Sequence, residues 1–267
     1  MNILEKIIVD KRKEVQEAKD YTTVKRLEQS LFFESSTVSL SKYLKRNDKI
    51  GIIAEIKRTS PSTKTLHKEI DVEKLSIAYM QSGASALSIL TDQKYFEGSI
   101  QDLQIARKFN FCPILRKDFI IDEYQVIQSK SIGADCILLI AACLDPSTTS
   151  SLAALAKKLG LEVLLEVHNK EEVSSHLNEH IDIIGVNNRD LKTFNTDIQK
   201  SLDLLEFLPQ QLCKISESGI STSHDISILK KAGYDGFLIG GHFMKSGDPA
   251  QTCKELIDDY KSIAHES

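Results

Sequence analysis

Eight short apolar segments, rich in β-branched residues, recur from Ile52 onward at intervals of roughly 20 to 35 residues, with a helical pattern between them. Strands and helices that alternate in this way form βαβ units around a parallel sheet. The segments span residues 52–57, 86–90, 113–117, 135–140, 162–167, 183–187, 213–217 and 236–240. Eight units in 267 residues favour a closed (β/α)8 barrel over an open doubly wound sheet, which usually has fewer strands and a glycine-rich dinucleotide turn. Neither GxGxxG nor GxxxxGK occurs, so the sequence predicts an α/β protein of the TIM-barrel class.

Cap residues mark several of the intervening helices. Asp71 is expected to begin a helix that ends near Gly83. Ser99 and Asp102 have the spacing of a capping box. These signals support helices between the predicted strands.

The residues before the first strand form an amphipathic extension. Ile3, Leu4, Ile7 and Val15 lie near helical spacing there. No linker rich in proline, glycine or serine interrupts the chain. We therefore expect a single domain over residues 1–267, in which a helical extension (1–48) packs on a barrel (49–267).

Composition and charge limit the possible partners. The net charge of −4 and the lack of a basic block argue against nucleic acid binding, while small anions can still bind locally. The longest apolar run, residues 136–144, is too short to span a bilayer. The five cysteines are odd in number and form no CxxC pair, which suggests a reducing compartment. We expect a cytoplasmic protein whose partner is a small molecule.

Charged side chains interrupt the carboxyl ends of the predicted strands, where barrel enzymes place their catalytic groups. Alternation puts Glu55 and Lys57 on the inner face of the first strand. The polar residues at the strand ends are Glu55, Lys57, Lys117, Glu166, Asn187 and Glu217. Enclosed ions must pair, shift their pKa or meet a ligand. The crowding can lower the pKa of one lysine enough for general acid catalysis, although a self-satisfied ion-pair network is the alternative.

Loops after three strands have the residues of a phosphate site. Ser218-Gly219 follows the seventh strand, Gly240-Gly241 follows the eighth, and 60–62 (Ser-Pro-Ser) follows the first. Such loops supply backbone N–H groups to phosphate in barrels. A glycine pair alone is weak evidence because turns need glycine anyway, but the three loops share one rim.

The histidines give no metal motif. His176 and His180 are four residues apart without a third ligand, so a solvated helix face is the simpler interpretation and no metal is predicted. His168 and His242 lie in loops near the barrel mouth, where a neutral side chain is the default.

Seven motifs at barrel spacing resemble indole-3-glycerol phosphate synthase along essentially the whole chain. They are AEIKRTSPS (54–62), LTDQKYFEGS (90–99), ILRKDF (114–119), LLEVH (164–168), IGVNNRDL (184–191), ISESGI (215–220) and FLIGGHFM (237–244). The resemblance implies a reaction without cofactor. In that reaction 1-(2-carboxyphenylamino)-1-deoxyribulose 5-phosphate closes its ring and loses carbon dioxide and water to give indole-3-glycerol phosphate.

The resemblance also implies roles for individual residues. Lys117 matches the general acid for ring closure, and Lys57 matches the lysine that holds the substrate carboxylate and can act as an acid in the later dehydration. Glu166 matches a carboxylate that acts as a base or stabilises the cationic intermediate. Matches to orienting and supporting positions are Glu55, Asn187, Glu217, Arg189 and Ser218. Matches to the phosphate site are Ser60, Gly219, Gly240 and Gly241.

An apolar pocket for the anthranilate ring is implied as well. Its matching residues are Phe96, Phe119, Leu191, Phe194 and Ile239, although Leu191 and Ile239 are each as easily explained as ordinary core. Two positions depart from the family pattern. Lys64 replaces a loop glycine, and Gly241 stands where serine is frequent.

Two other functions remain open from the sequence. One is another phosphate-binding barrel such as phosphoribosylanthranilate isomerase, whose chemistry uses a cysteine and an aspartate at strand ends; the first strand has no cysteine. The other is a catalytically silent barrel that binds a phosphometabolite, which has no need for so costly a charge cluster. The sequence leaves open whether the protein is a monomer or a homodimer.

Overall fold

The computed structural model describes residues 3–59, 69–190 and 193–265. Eight parallel strands pair in chain order, and β8 pairs with β1 to close the barrel. The strands are β1 (Ile52–Ile56), β2 (Ala86–Leu90), β3 (Ile114–Lys117), β4 (Cys136–Ile140), β5 (Glu162–Val167), β6 (Ile183–Asn187), β7 (Cys213–Glu217) and β8 (Gly236–Ile239). All eight predicted segments are confirmed as strands, and their bounds agree to within one residue at each end.

Helices surround the barrel and also precede it. In the described ranges they are α1 (Ile3–Tyr21), α2 (Val24–Glu28), α3 (Leu40–Leu44), α4 (Val72–Gln81), α5 (Gln93–Phe96), α6 (Ile100–Phe109), α7 (Glu123–Ser131), α8 (Pro146–Lys158), α9 (Lys170–His176), α10 (Gln199–Leu204), α11 (Ser223–Ala232), α12 (Gly241–Met244) and α13 (Pro249–His265). Short 3-10 helices span Ala141–Cys143 and Leu205–Phe207. None of the helices in these ranges is long and apolar enough to cross a membrane.

The strands separate two apolar layers, as their alternating side chains require. Ile52 and Ala54 of β1 belong to the outer cluster between strands and helices. Ile53 belongs to the cluster that fills the barrel. The predicted division of the first strand into an inner and an outer face is therefore confirmed.

The expected helix starts are largely confirmed. Asp71 caps α4 through a hydrogen bond from the Lys74 backbone N–H. Ser99 caps α6 in the same way and accepts a bond from the Asp102 N–H. The reciprocal half of the expected capping box is not formed, because the Asp102 carboxylate pairs with the Arg58 guanidinium instead.

The short helix α3 closes the amino-terminal end of the barrel. Leu40 and Leu44 are fully buried in the cluster that fills the barrel. Glu162, the first residue of β5, accepts hydrogen bonds from the Ser39 hydroxyl at 2.6 Å and from the Ser41 N–H at 2.9 Å. These bonds hold α3 beneath the strand starts, whereas α1 lies at the opposite end, where the strands finish.

Candidate active site

The six polar residues predicted at the strand ends lie together in one cavity at the barrel mouth. Each is held by the last residues of a strand or by the residue that follows it. The cavity residues that the sequence predicted are Glu55, Lys57, Phe96, Lys117, Phe119, Glu166, Asn187, Arg189, Phe194, Glu217 and Ser218. Parallel strands in a closed barrel end at the same rim, which explains why residues distant in the chain converge here.

Lys117 is the centre of the charge cluster. Its Nζ lies 2.8 Å from Glu166 Oε2 and 2.8 Å from Glu217 Oε2. Burial acts to lower the Lys117 pKa, but the nearby carboxylates Glu166, Glu217 and Glu55 outweigh burial and raise it above its ordinary value. The expectation that crowding lowers a lysine pKa is thus wrong for Lys117, because more negative than positive charge surrounds it.

The two carboxylates that share Lys117 differ in their ionisation. Burial acts to raise the Glu166 pKa, but Lys117, His168 and the Asn187 amide lower it to about 2. Asn187 Nδ2 donates to Glu166 Oε1 at 3.1 Å. For Glu217, burial together with repulsion from the neighbouring glutamates outweighs Lys117 and raises the pKa to about 7. Glu217 Oε1 is buried without a hydrogen-bond partner among the described residues, so Glu217 is the carboxylate that takes up a proton near neutral pH.

Lys57 pairs with Glu55, the glutamate of β1. Its Nζ lies 2.8 Å from Glu55 Oε1, and Glu55 is almost fully buried. A Cβ at Gly240 would lie 2.5 Å from Glu55 Oε1, so only glycine allows the β8 loop to approach this carboxylate. The Lys57–Glu55 pair therefore sits directly against the glycine loop.

A second cavity adjoins the first at the glycine loops. Glu55, Lys57, Arg189, Ser218 and Leu238 border both cavities. Other residues of the second cavity are Thr196, Gly219, Ile220, Ser221, Ile239, Gly240, Gly241, His242 and Lys245. A ligand can therefore extend from one cavity into the other across the Lys57 side of the mouth.

The backbone of the second cavity depends on its glycines. Gly219 has a φ of +78°, a conformation that favours glycine. A Cβ at this position would lie 3.1 Å from Thr196 Cβ. A Cβ at Gly241 would meet nothing within 4 Å, so the loss of the serine that is frequent at this position leaves open space. The predicted phosphate residue Ser60 and the departure at Lys64 lie outside the described residues.

Aromatic and aliphatic side chains form the wall of the first cavity. The rings of Phe96 and Phe119 are 6.2 Å apart between centroids, and Phe194 lies on the opposite loop. From the extension, α1 contributes Ile3, Leu4 and Ile7. From the barrel come Leu90, Leu138, Ile140 and Leu238.

Ile239 does not line this wall, and its predicted place there is corrected. Along β8, Leu238 pairs with Ile53 and points into the barrel, whereas Ile239 pairs with Ala54 and packs in the outer cluster. Since strand side chains alternate, Leu238 takes the position that was assigned to its neighbour. Leu191 lies outside the described residues.

His168 lies in a loop near the mouth as expected, whereas His176 does not lie where the sequence predicted. His168 is buried between two carboxylates, with Nδ1 3.3 Å from Glu172 Oε2 and Nε2 3.6 Å from Glu166 Oε1. Burial acts to lower the His168 pKa, but Glu172 and Glu166 raise it. His176 is buried too, with Nε2 3.0 Å from the Leu144 carbonyl, so the solvated helix face expected for it is wrong.

The described ranges contain no group of three or more His, Cys, Asp and Glu side chains arranged to hold a metal ion. Five cation and carboxylate groups of the mouth are instead engaged with one another: Glu55, Lys57, Lys117, Glu166 and Glu217. The cluster can thus donate and accept protons between an aromatic wall and a glycine-rich cavity.

The family model for indole-3-glycerol phosphate synthase matches residues 4–256. The chain belongs to this family. It is therefore an enzyme of the decarboxylating lyase type in tryptophan biosynthesis. The match decides against the alternative of a phosphoribosylanthranilate isomerase.

Curated members of the family are similar over almost their full length. The indole-3-glycerol phosphate synthase of Bacteroides thetaiotaomicron is 46% identical over 256 residues, which cover 96% of this chain and 98% of that protein. The synthase of Polaromonas naphthalenivorans is 39% identical and covers 97% of this chain and 99% of its own. That of Salinibacter ruber is 37% identical, with 99% and 98% covered.

Solved structures support the barrel fold of this synthase-family chain. The tryptophan synthase alpha subunit of Legionella pneumophila has a TM-score of 0.60 at 16% identity and covers 85% of this chain and 97% of its own. The 3-hexulose-6-phosphate synthase of Salmonella typhimurium has a TM-score of 0.62 at 14% identity, with 79% and 99% covered. At such identities the likeness concerns the fold alone.

Several cavity residues of this synthase-family chain had no clear signal in the sequence. Thr196 and Lys245 reach the second cavity from loop and helix-end positions that strand alternation does not address. Asp92 and Asp118 border the first cavity, and their positions gave a signal, since Asp118 directly follows β3 and Asp92 is the second residue after β2. Ile140 also lines the first cavity, but in the sequence it is indistinguishable from the other apolar residues of β4.

Proposed function

We propose that the mouth cluster carries out the indole-3-glycerol phosphate synthase reaction with the substrate lying across both cavities. The carboxyphenyl ring occupies the aromatic wall of the first cavity, and the phosphate lies against the glycine loops of the second. The observation that supports this most is the position of Lys117. It lies deep in the mouth, held between Glu166 and Glu217, next to the wall that receives the ring.

Ring closure needs a cationic proton donor. The ring carbon attacks the ketose carbonyl, and a proton must reach the oxygen as negative charge develops there. Because the raised pKa of Lys117 keeps it charged at neutral pH, every bound substrate meets a protonated donor. Glu217, 2.8 Å from Lys117 Nζ and with a pKa of about 7, can return a proton to Lys117 between steps.

The remaining steps use the other side of the mouth. Lys57, on the border of both cavities, holds the substrate carboxylate until carbon dioxide leaves, and then serves as an acid as the hydroxyl departs as water. Glu166, which its low pKa keeps ionised, stabilises the cationic intermediate and accepts the last proton. Glu55, Asn187 and Arg189 orient these groups and the substrate.

Phosphate binding follows from the second cavity. Backbone N–H groups at Gly219, Gly240 and Gly241 can approach the phosphate closely because these residues have no side chain. Ser218 supports the same loop, and Lys245 adds a positive charge at the cavity edge. Ser60 is assigned to this subsite by its family motif.

The assignment is tested by incubating the purified protein with 1-(2-carboxyphenylamino)-1-deoxyribulose 5-phosphate and following the fluorescence of the indole product. Lys117→Ala is expected to lower kcat by about 10²- to 10⁴-fold with little change in KM, because a proton donor is lost while the binding contacts remain. Lys214→Ala is the matched control. Lys214 lies on β7 near the opposite end of the barrel, where its Nζ binds the Gln210 carbonyl.

Failure of the folded wild-type protein to form product would refute the proposed reaction. A Lys117→Ala protein that keeps most of its turnover would refute only the role of Lys117 as the acid.

A further inference from the structure

A lysine of the extension is buried beside the mouth, although it contributes nothing to the steps above. Lys11 lies on α1, four residues after Ile7 and therefore on the same helical face as the α1 residues that line the first cavity. Its side chain is only 1% exposed. An unpaired ammonium is costly in such a place, so its partners determine what it does.

The partners of Lys11 are two buried aspartates on different barrel loops. Its Nζ lies 2.8 Å from Asp92 Oδ2 and 2.9 Å from Asp118 Oδ1, and each aspartate is 1% exposed. A third carboxylate, that of Glu14, lies 2.8 Å away at the surface. Lys11 thus joins α1 to the loop after β2 and to the loop after β3.

Both aspartates fix the backbone of residues that form the ring pocket. Asp92 Oδ1 accepts the Tyr95 N–H at 2.7 Å and caps α5, the helix that ends with Phe96. Asp118 directly follows Lys117, and its Oδ1 accepts the Phe119 N–H at 2.8 Å. The same two carboxylates therefore hold Lys11 and set the positions of both aromatic rings.

We propose that Lys11 is a positioning residue that sets the width of the ring pocket by holding α1 against the loops that carry Phe96 and Phe119. This inference rests on the proposed binding of the substrate ring in that pocket. Without the ammonium, Asp92 and Asp118 face each other as buried anions. They regain solvation only if water enters or α1 moves outward, and either change removes Ile3, Leu4 and Ile7 from the pocket wall.

Other contacts keep α1 on the barrel when Lys11 is changed. Asp10 binds Lys94 at 2.7 Å and the Tyr95 hydroxyl at 2.5 Å, and Lys19 binds Asp122 at 2.7 Å. Asp118 also retains its pair with Arg116. Loss of Lys11 is therefore expected to loosen the packing of α1 at the ring pocket without detaching the helix or unfolding the barrel.

The kinetic test compares Lys11→Met with Lys19→Met, which removes an exposed ion pair from the same helix. Lys11→Met is expected to raise KM at least about 10-fold while kcat changes by less than about 3-fold, because pocket contacts made equally to substrate and transition state are lost. Lys19→Met is expected to change neither parameter by more than about 2-fold. A merely stabilising lysine would leave KM unchanged in the folded protein.

A second measurement needs no turnover. Trypsin cleavage after the exposed residues Arg12 and Lys13, without substrate, is expected to be faster in Lys11→Met than in Lys19→Met. This measurement separates the two proposals. An inactive wild-type protein would refute the proposed reaction, whereas the cleavage rates would still show whether Lys11 holds α1 on the barrel.

The double variant Lys11→Met/Asp92→Asn removes one charge of each sign and serves if the single variant fails to fold. It is expected to regain stability in urea relative to Lys11→Met, because one of the two facing anions is removed. It should keep the raised KM and the fast cleavage, because no ammonium joins α1 to the loops after β2 and β3. Wild-type KM together with wild-type cleavage, in either folded variant, would overturn the role of Lys11.

Discussion

Glu166 and Glu217 show how two identical side chains acquire different charge states a few ångströms apart. Both are buried, and both contact Lys117 at 2.8 Å. Glu166 has additional partners in Asn187 and His168, whereas Glu217 Oε1 has no hydrogen-bond partner in the described part of the chain. The difference lies in these further contacts, which place a carboxyl that titrates near neutral pH beside one that stays ionised at the same lysine.

The raised pKa of Glu217 predicts a pH dependence of stability. The group titrates near 4.5 when exposed and near 7 in the folded protein, so between these values the unfolded chain releases a proton that the folded protein keeps. The penalty from Glu217 is therefore absent below pH 4.5 and complete above pH 7. Lys117, Glu166 and Glu55 are the charged groups that face it.

Glu217→Gln should remove this penalty. Without substrate, the unfolding free energy of the variant, relative to wild type, is expected to rise as the pH increases from 5 to 8, as measured by urea denaturation. Parallel pH profiles for the two proteins would contradict a raised pKa for Glu217.

At the scale of elements, α3 plugs the end of the barrel opposite the mouth. Leu40→Ala is expected to lower the unfolding free energy by about 2 to 5 kcal/mol, because a cavity opens in the barrel interior. Leu31→Ala, at a leucine that is 85% exposed, is the control and should change stability by less than about 0.5 kcal/mol. Urea denaturation measures both.

Activity gives a further check on α3. Because the plug lies far from the mouth, Leu40→Ala should leave KM and kcat near wild type while the protein is folded. A large rise in KM would mean that packing at the amino-terminal end of the barrel affects the active site at the mouth.

The elements differ in how far the sequence could predict them. Strands were predictable because they are short, largely apolar runs, and all except β4 are followed directly by glycine or a polar residue. Strand alternation then placed Glu55 and Lys57 correctly. Alternation also shows why Ile239 was misplaced: a shift of one residue reverses the face, and Leu238 is equally apolar. The role of α3 could not be predicted, since five residues carry too little periodicity to show which end of a barrel they cover.

Buried charge was predictable at the mouth but not beside it. Lys117 ends β3 and Lys57 directly follows β1, and an ion is conspicuous beside an apolar strand. Lys11 lies in an ordinary amphipathic helix, and its burial follows from how α1 docks on the barrel. Such tertiary contacts leave no pattern in the local sequence.

At the scale of the whole molecule, the five cysteines report on the integrity of the fold. Four are buried, and Cys143 is partly exposed. Burial raises the pKa of the Cys112 and Cys253 thiols to about 12, which suppresses the reactive thiolate. The native protein should therefore react with a thiol reagent first and slowly at Cys143, and the other four should react only as the barrel unfolds in urea.

Cys143→Ser is the matched variant for this labelling experiment, read by mass spectrometry. It should lack the early modification and keep the urea-dependent phase unchanged. Early labelling of Cys136 or Cys213, inside the barrel, would show that the strands open locally.

The position of α3 has a consequence for how the chain is made. Its residues leave the ribosome before any strand exists, yet Leu44 rests against Gly236 at the start of the last strand. The docking site of α3 is therefore complete only once β8 has emerged. A prematurely terminated chain that lacks β8 would keep the contacts of Ser39 and Ser41 with Glu162 but would offer no packing partner to Leu44, so catalytic competence arrives only after β8 has been made.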